Sequence, residues 1–165
     1  MAGTLIIHSS GDPGSANLTS GHSWIEYTPD GGAATTYGTW GNNPNGLGNG
    51  LHEDLELGRT GDATRTARLT DEQEKRLFEK IKEYKDEKED GWGYLSPCST
   101  FAADAWEAGT GEKLSHRTLV ISNPSKLKEA IEQADAAGAV APPLPPARGS
   151  SSSAPKAGSA VQPCS

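Results

Sequence analysis

The segment TPDGG, residues 28–32, most constrains what this chain can fold into. Proline pre-sets a turn φ, aspartate bonds back to its own backbone, and glycine takes the positive φ that other residues resist. On either side lie GHSWIEY and AATTYGTW, rich in the aromatic and β-branched residues that favour strands. A turn between two such arms makes them antiparallel neighbours. Closed with Thr28 opposite Ala33, the hairpin sets Thr39 opposite His22, and Glu26 shares the His22 face two residues further on.

The remaining segments are short and clearly punctuated. TLIIHS reads as a first strand and ATRTARL as a later one, whereas GNNPNGLGNGLHEDLELG reads as a glycine- and asparagine-rich loop lying over a site. TDEQEKRLFEKIKEYKDEKED is a helix, with Thr70 and Gln73 in a capping-box pattern and Leu77, Phe78, Ile81 and Tyr84 at helical spacing. CSTFAADAWEA is a second helix: Ser96 can cap it, Pro97 suits its first position, and Phe101, Ala102, Ala105 and Trp106 form its buried stripe. AGTG ends it. RTLVIS is another candidate strand, and Asn123 with Pro124 starts a final helix that turns Leu127, Ala130 and Ile131 inward. The expected fold class is α+β, a small antiparallel sheet of three or four strands packed against three helices. It occupies residues 1–136. Residues 137–165 are a Pro/Ala/Ser/Gly mixture that cannot bury enough apolar surface to offset its ordering entropy, and are expected to be a disordered tail.

Composition narrows the chemistry. A net charge of −7 over 165 residues, with no basic stripe, excludes phosphate-backbone binding, so no nucleic-acid partner is expected. No run approaches the roughly 18 apolar residues of a membrane span, and MAGTLIIHSSGDPG has neither a basic leader nor a long apolar stretch, so no Sec-type signal is expected. Walker, dinucleotide, His-Glu-x-x-His and Cys-x-x-Cys patterns are absent, and neither cofactor nor metal is expected. His52, Glu53 and Asp54 stand in a row but read as a solvated acidic loop.

Of the two cysteines, Cys164 falls in the tail, while Cys98 opens the second helix in YLSPCSTFAADAW. A helix's first turn presents unpaired N–H groups and the positive end of the macrodipole, and both favour a thiolate. The same groups can receive a developing oxyanion. A buried, inert thiol is the alternative, and a partner base decides between them. Among four histidines, His22 is the best candidate, since it opens a strand where side chains reach a cleft; His8, His52 and His116 read as structural or solvated. The group that orients His22 stays open among Thr39, Glu26, Asn42 and a backbone carbonyl.

The order GHSWIEY, TTYGTWG and then YLSPCSTF resembles the NlpC/P60 group of papain-like cysteine peptidases, in its circularly permuted branch where histidine precedes cysteine. More closely, it is similar to small His-then-Cys domains of bacterial secretion effectors, particularly those of type VI systems, over about residues 19–131. The resemblance implies a permuted papain-like fold with Cys98 as nucleophile, His22 as base, and Tyr94, Trp24 and Trp40 lining the substrate site. The family's third residue has no evident counterpart, and Thr39 occupies its position. Also implied is an antibacterial amidase or endopeptidase acting on peptidoglycan stem peptides. Such an enzyme is made in the cytoplasm, exported by secretion machinery without a signal peptide, active in the target-cell periplasm and matched by an immunity protein. Two other readings remain: the same dyad acting on a host protein or lipid as protease, deamidase or acyltransferase, and a non-catalytic binding domain.

Overall fold

A computed structural model describes residues 3–11, 21–41, 44–91, 98–118 and 121–138. The fold is α+β: a five-stranded antiparallel sheet with three helices. The strands are β1 (Gly3–Gly11), β2 (Gly21–Pro29), β3 (Thr35–Trp40), β4 (Gly50–Glu53) and β5 (Ala63–Arg68), in the order β4-β3-β2-β1-β5. The helices are α1 (Asp71–Asp86), α2 (Cys98–Thr110) and α3 (Pro124–Ala136). Between α2 and α3, the short strands β6 (Arg117–Thr118) and β7 (Ile121–Ser122) pair with each other, so the two ends of RTLVIS form their own ladder and do not join the main sheet.

Alternation along the strands separates two faces. Leu5, Ile7, Ile25, Tyr27, Tyr37, Ala63 and Ala67 point to one of them and form the core with Leu77 and Ile81 of α1, Phe101 and Trp106 of α2, and Leu127 and Ile131 of α3. Each fully buried large side chain there contributes about 1.5–3 kcal/mol relative to an exposed one. α1 starts as its sequence indicates: Thr70 Oγ1 accepts from the Gln73 N–H, and Gln73 Oε1 accepts from the Thr70 N–H. Asn123 caps α3 by accepting from the Ser125 and Lys126 N–H groups. Tyr84 donates to Asp104 at 2.8 Å and so ties α1 to α2. A buried Arg65 on β5 reaches Glu112 at 2.7 and 2.8 Å and Asp135 at 2.6 Å, joining the sheet to α3 and to the segment after α2.

Two expectations change. The sheet has five strands because the Gly/Asn-rich segment supplies β4 as an edge strand, paired from Tyr37↔Glu53 to Trp40↔Gly50. The hairpin closes where TPDGG predicts, with the Gly32 N–H donating to Pro29 O at 3.0 Å and Gly31 at φ 74°. Its register, however, is Tyr27↔Thr35 and Ile25↔Tyr37, one residue away from Thr28 opposite Ala33. Ala33 and Ala34 lengthen the connection beyond the turn itself, and a one-residue shift moves every side chain to the other face. The tail from residue 139 onward lies outside the described residues.

Candidate active site

β2 and β3 pair only as far as Ile25↔Tyr37. Beyond that point β2 stays with β1 to Gly11↔Gly21, and β3 stays with β4 to Trp40↔Gly50. The sheet therefore forks, with His22 on one prong and Trp40 on the other. Cys98, the first residue of α2, comes from the helical layer to the side of His22, near enough to raise its pKa.

The other partner of His22 is Glu56, in the loop after β4. His22 Nε2 and Glu56 Oε1 are 2.6 Å apart. Trp40 Nε1 donates to the same oxygen at 2.7 Å, and Thr36 Oγ1 donates to Glu56 Oε2 at 3.1 Å. The carboxylate is fully buried, so its position depends on these donors. Local geometry explains how it gets there: Asp54, at φ 62°, accepts from the Thr36 N–H through Oδ1 and returns its own N–H to Thr36 O, which turns the chain back over β3. Gly38 leaves the room. A Cβ there would lie 2.2 Å from Glu56 Oε1 and 3.3 Å from His22 Nε2.

Aromatic rings hold the imidazole on both sides. His22 stacks on Trp24 with centroids 5.5 Å apart and meets Trp40 at 4.1 Å, tilted by 42°. With Nε2 committed to Glu56, Nδ1 is the nitrogen left for Cys98. Burial lowers the His22 pKa, but hydrogen bonds and charge from Cys98 and Glu56 outweigh it, and the pKa is raised to about 9. The ring is therefore held in its protonated form at neutral pH, between the Cys98 sulfur and a carboxylate, which is the arrangement that nucleophile, proton carrier and orienting group require.

The other expected residues fall as follows. Thr39 is a correction: in the observed register it alternates to the face opposite His22, it is buried, and its hydroxyl has no hydrogen-bond partner among the described residues. Glu26 shares the His22 face but reaches His8 Nε2, at 3.6 Å. Trp24 is 1 % exposed and lies beneath the imidazole, whereas Trp40 is half-buried beside it. Tyr94, Asn42, Ser96 and Pro97 lie outside the described residues. His52 bonds to Gly48 O and His116 to Leu114 O, Glu53 pairs with Lys85, and Asp54 is spent on Thr36. No group of three His, Cys, Asp or Glu among the described residues is placed to hold a metal ion. Nor is any described helix long and apolar enough to cross a membrane.

Glu56 is the residue that sequence reasoning missed. It lies 34 positions from His22 and two residues past the HED triplet that drew attention to this loop. The available signal was an acidic residue in a loop next to the strand of Trp40, legible only once β4 is recognised as that strand's neighbour. No family model, no curated protein and no solved structure matches the chain.

Proposed function

We propose that this chain is a cysteine hydrolase of amide bonds, an amidase or endopeptidase, with Cys98 as nucleophile, His22 as general acid and base, and Glu56 orienting His22. The observation that carries the reading is Cys98 placed beside a His22 whose Nε2 is bonded to a buried, triply bonded Glu56. Cys98 Sγ attacks the carbonyl carbon, and first-turn N–H groups of α2 receive the oxyanion. His22 passes its proton to the leaving nitrogen as the C–N bond breaks, leaving a thioester and a neutral imidazole. Water then attacks the thioester and loses a proton to His22; the C–S bond breaks and the thiolate returns.

For the substrate, the motif resemblance supports peptidoglycan stem peptides. It also supports export without a signal peptide, action in the periplasm of a target cell, and an immunity protein as partner. Periplasmic expression of wild type, Cys98→Ala, His22→Ala and Glu56→Ala in a bacterium, paired with digestion of purified sacculi, tests this. Lysis by wild type alone, with new amino groups released from sacculi, is expected. Equal toxicity or equal harmlessness of all four would overturn the hydrolase. Toxicity that needs Cys98 but leaves sacculi intact would move the substrate to a host protein or lipid.

A further inference from the structure

His8 lies on the same sheet face as His22. Its ring stacks on Trp24 with centroids 4.9 Å apart and planes 6° from parallel, so His8, Trp24, His22 and Trp40 form one row of rings. His8 Nδ1 accepts the Gly61 N–H at 3.2 Å, and next to it the Asp62 N–H donates to Ser10 Oγ at 3.2 Å. Arg59 lies over Trp24, 5.8 Å from the ring centroid. These contacts hold one end of residues 54–62; Asp54 on Thr36 holds the other, and Glu56 hangs between them.

A ring nitrogen that accepts a hydrogen bond carries no proton, so the Gly61 contact exists only while His8 is neutral. We propose that His8 is a positioning residue: as a neutral acceptor it latches the loop that carries Glu56, and protonation of His8 releases that loop and disassembles the site in acid. The proposal rests on the reading of Cys98, His22 and Glu56 as the active site. Charged groups facing His8 are Glu26 of β2, with Glu56 and Arg59 of the loop; across from it on β5 is the uncharged Thr64. Burial lowers the His8 pKa to about 4 against the pull of Glu56. The latch is thus closed at neutral pH and opens as the pH falls toward that value.

The test uses the full chain with Cys164→Ser, so that iodoacetamide alkylation reports Cys98 alone, together with hydrogen exchange of residues 57–62. His8→Leu removes the acceptor; His8→Asn puts an amide oxygen near the place of Nδ1 and does not titrate. Expected for His8→Leu at neutral pH is at least about tenfold slower alkylation with faster loop exchange. His8→Asn should stay within about threefold of the parent and keep the loop protected near the acid transition, where the parent loses protection. A His8→Leu loop as protected as the parent's, or a His8→Asn loop as open as that of His8→Leu, would overturn the latch. Should His8→Leu fail to fold by circular dichroism, the pH dependence of exchange in His8→Asn against the parent decides. Including His22→Ala separates the two readings: equal alkylation with the parent would overturn the active site, while loop exchange still judges the latch.

Discussion

His8 and His22 lie on either side of Trp24, on one face of one sheet, and the structure drives their charges in opposite directions. Burial pushes both pKa values down. His8 follows it to about 4, since burial outweighs the opposing charge of Glu56, and its Nδ1 accepts a backbone N–H. His22 ends near 9, because a carboxylate 2.6 Å away and the Cys98 side chain both favour the charged ring. Depth does not assign the roles; the partners of the two ring nitrogens do. One histidine is built to stay neutral and the other to hold a proton that it can give away.

The largest expected effects come from breaking the His22 side. Cys98→Ala or His22→Ala should lower the rate by about 10³-fold or more, the usual loss when members of a nucleophile and base pair are removed. Glu56→Gln keeps an oxygen for His22 Nε2 and Trp40 Nε1 but removes the charge, so a loss of about 10–10²-fold is expected, and a titration should place His22 below its wild-type value. Gly38→Ala drives a Cβ onto Glu56 Oε1 and should cost about 1–3 kcal/mol of stability, read as a lower Tm, together with activity.

The pH dependence of stability sharpens the contrast, because the two signs differ. His22, raised from 6.5 to about 9, contributes stability that is fully present below pH 6.5 and is lost as the pH rises through about 9. His8, lowered from 6.5 to about 4, contributes stability present above pH 6.5 and lost as the pH falls through about 4. Denaturant midpoints should therefore decline on both sides of about pH 6.5. His22→Ala should flatten the alkaline limb and His8→Asn the acid one; a His8→Asn protein with an unchanged acid limb would remove His8 from the explanation.

The smallest effect is expected at Thr39. Its hydroxyl is buried on the far face without a hydrogen-bond partner among the described residues, so Thr39→Val should change activity less than about twofold and leave stability equal or slightly higher. A large loss of activity there would contradict the observed register.

What the sequence made legible follows the range of the interactions involved. The turn at TPDGG, the capped ends of α1 and α3, and the buried stripe of α2 are set by neighbours within a few residues, and all are present in the structure. Cys98 and His22 were legible from their own positions, at a helix start and a strand start. The hairpin register was not, since two alanines beyond the turn moved it by one residue and placed Trp40, in place of Thr39, beside His22. β4 was hidden behind the glycines and asparagines that precede it, and with it the route by which Glu56 folds back over β3. An edge strand of four residues is held by its neighbour more than by its own propensity, so no local pattern announces it.

The most direct measurement is an NMR titration of the His22 ring in wild type, Cys98→Ala and Glu56→Gln. The expected result is a His22 pKa near 9 in wild type that falls in each variant, with Nε2 carrying the proton shared with Glu56. A wild-type His22 that titrates at or below 6.5, or one indifferent to both substitutions, would contradict the coupling of Cys98, His22 and Glu56 on which the proposed chemistry depends.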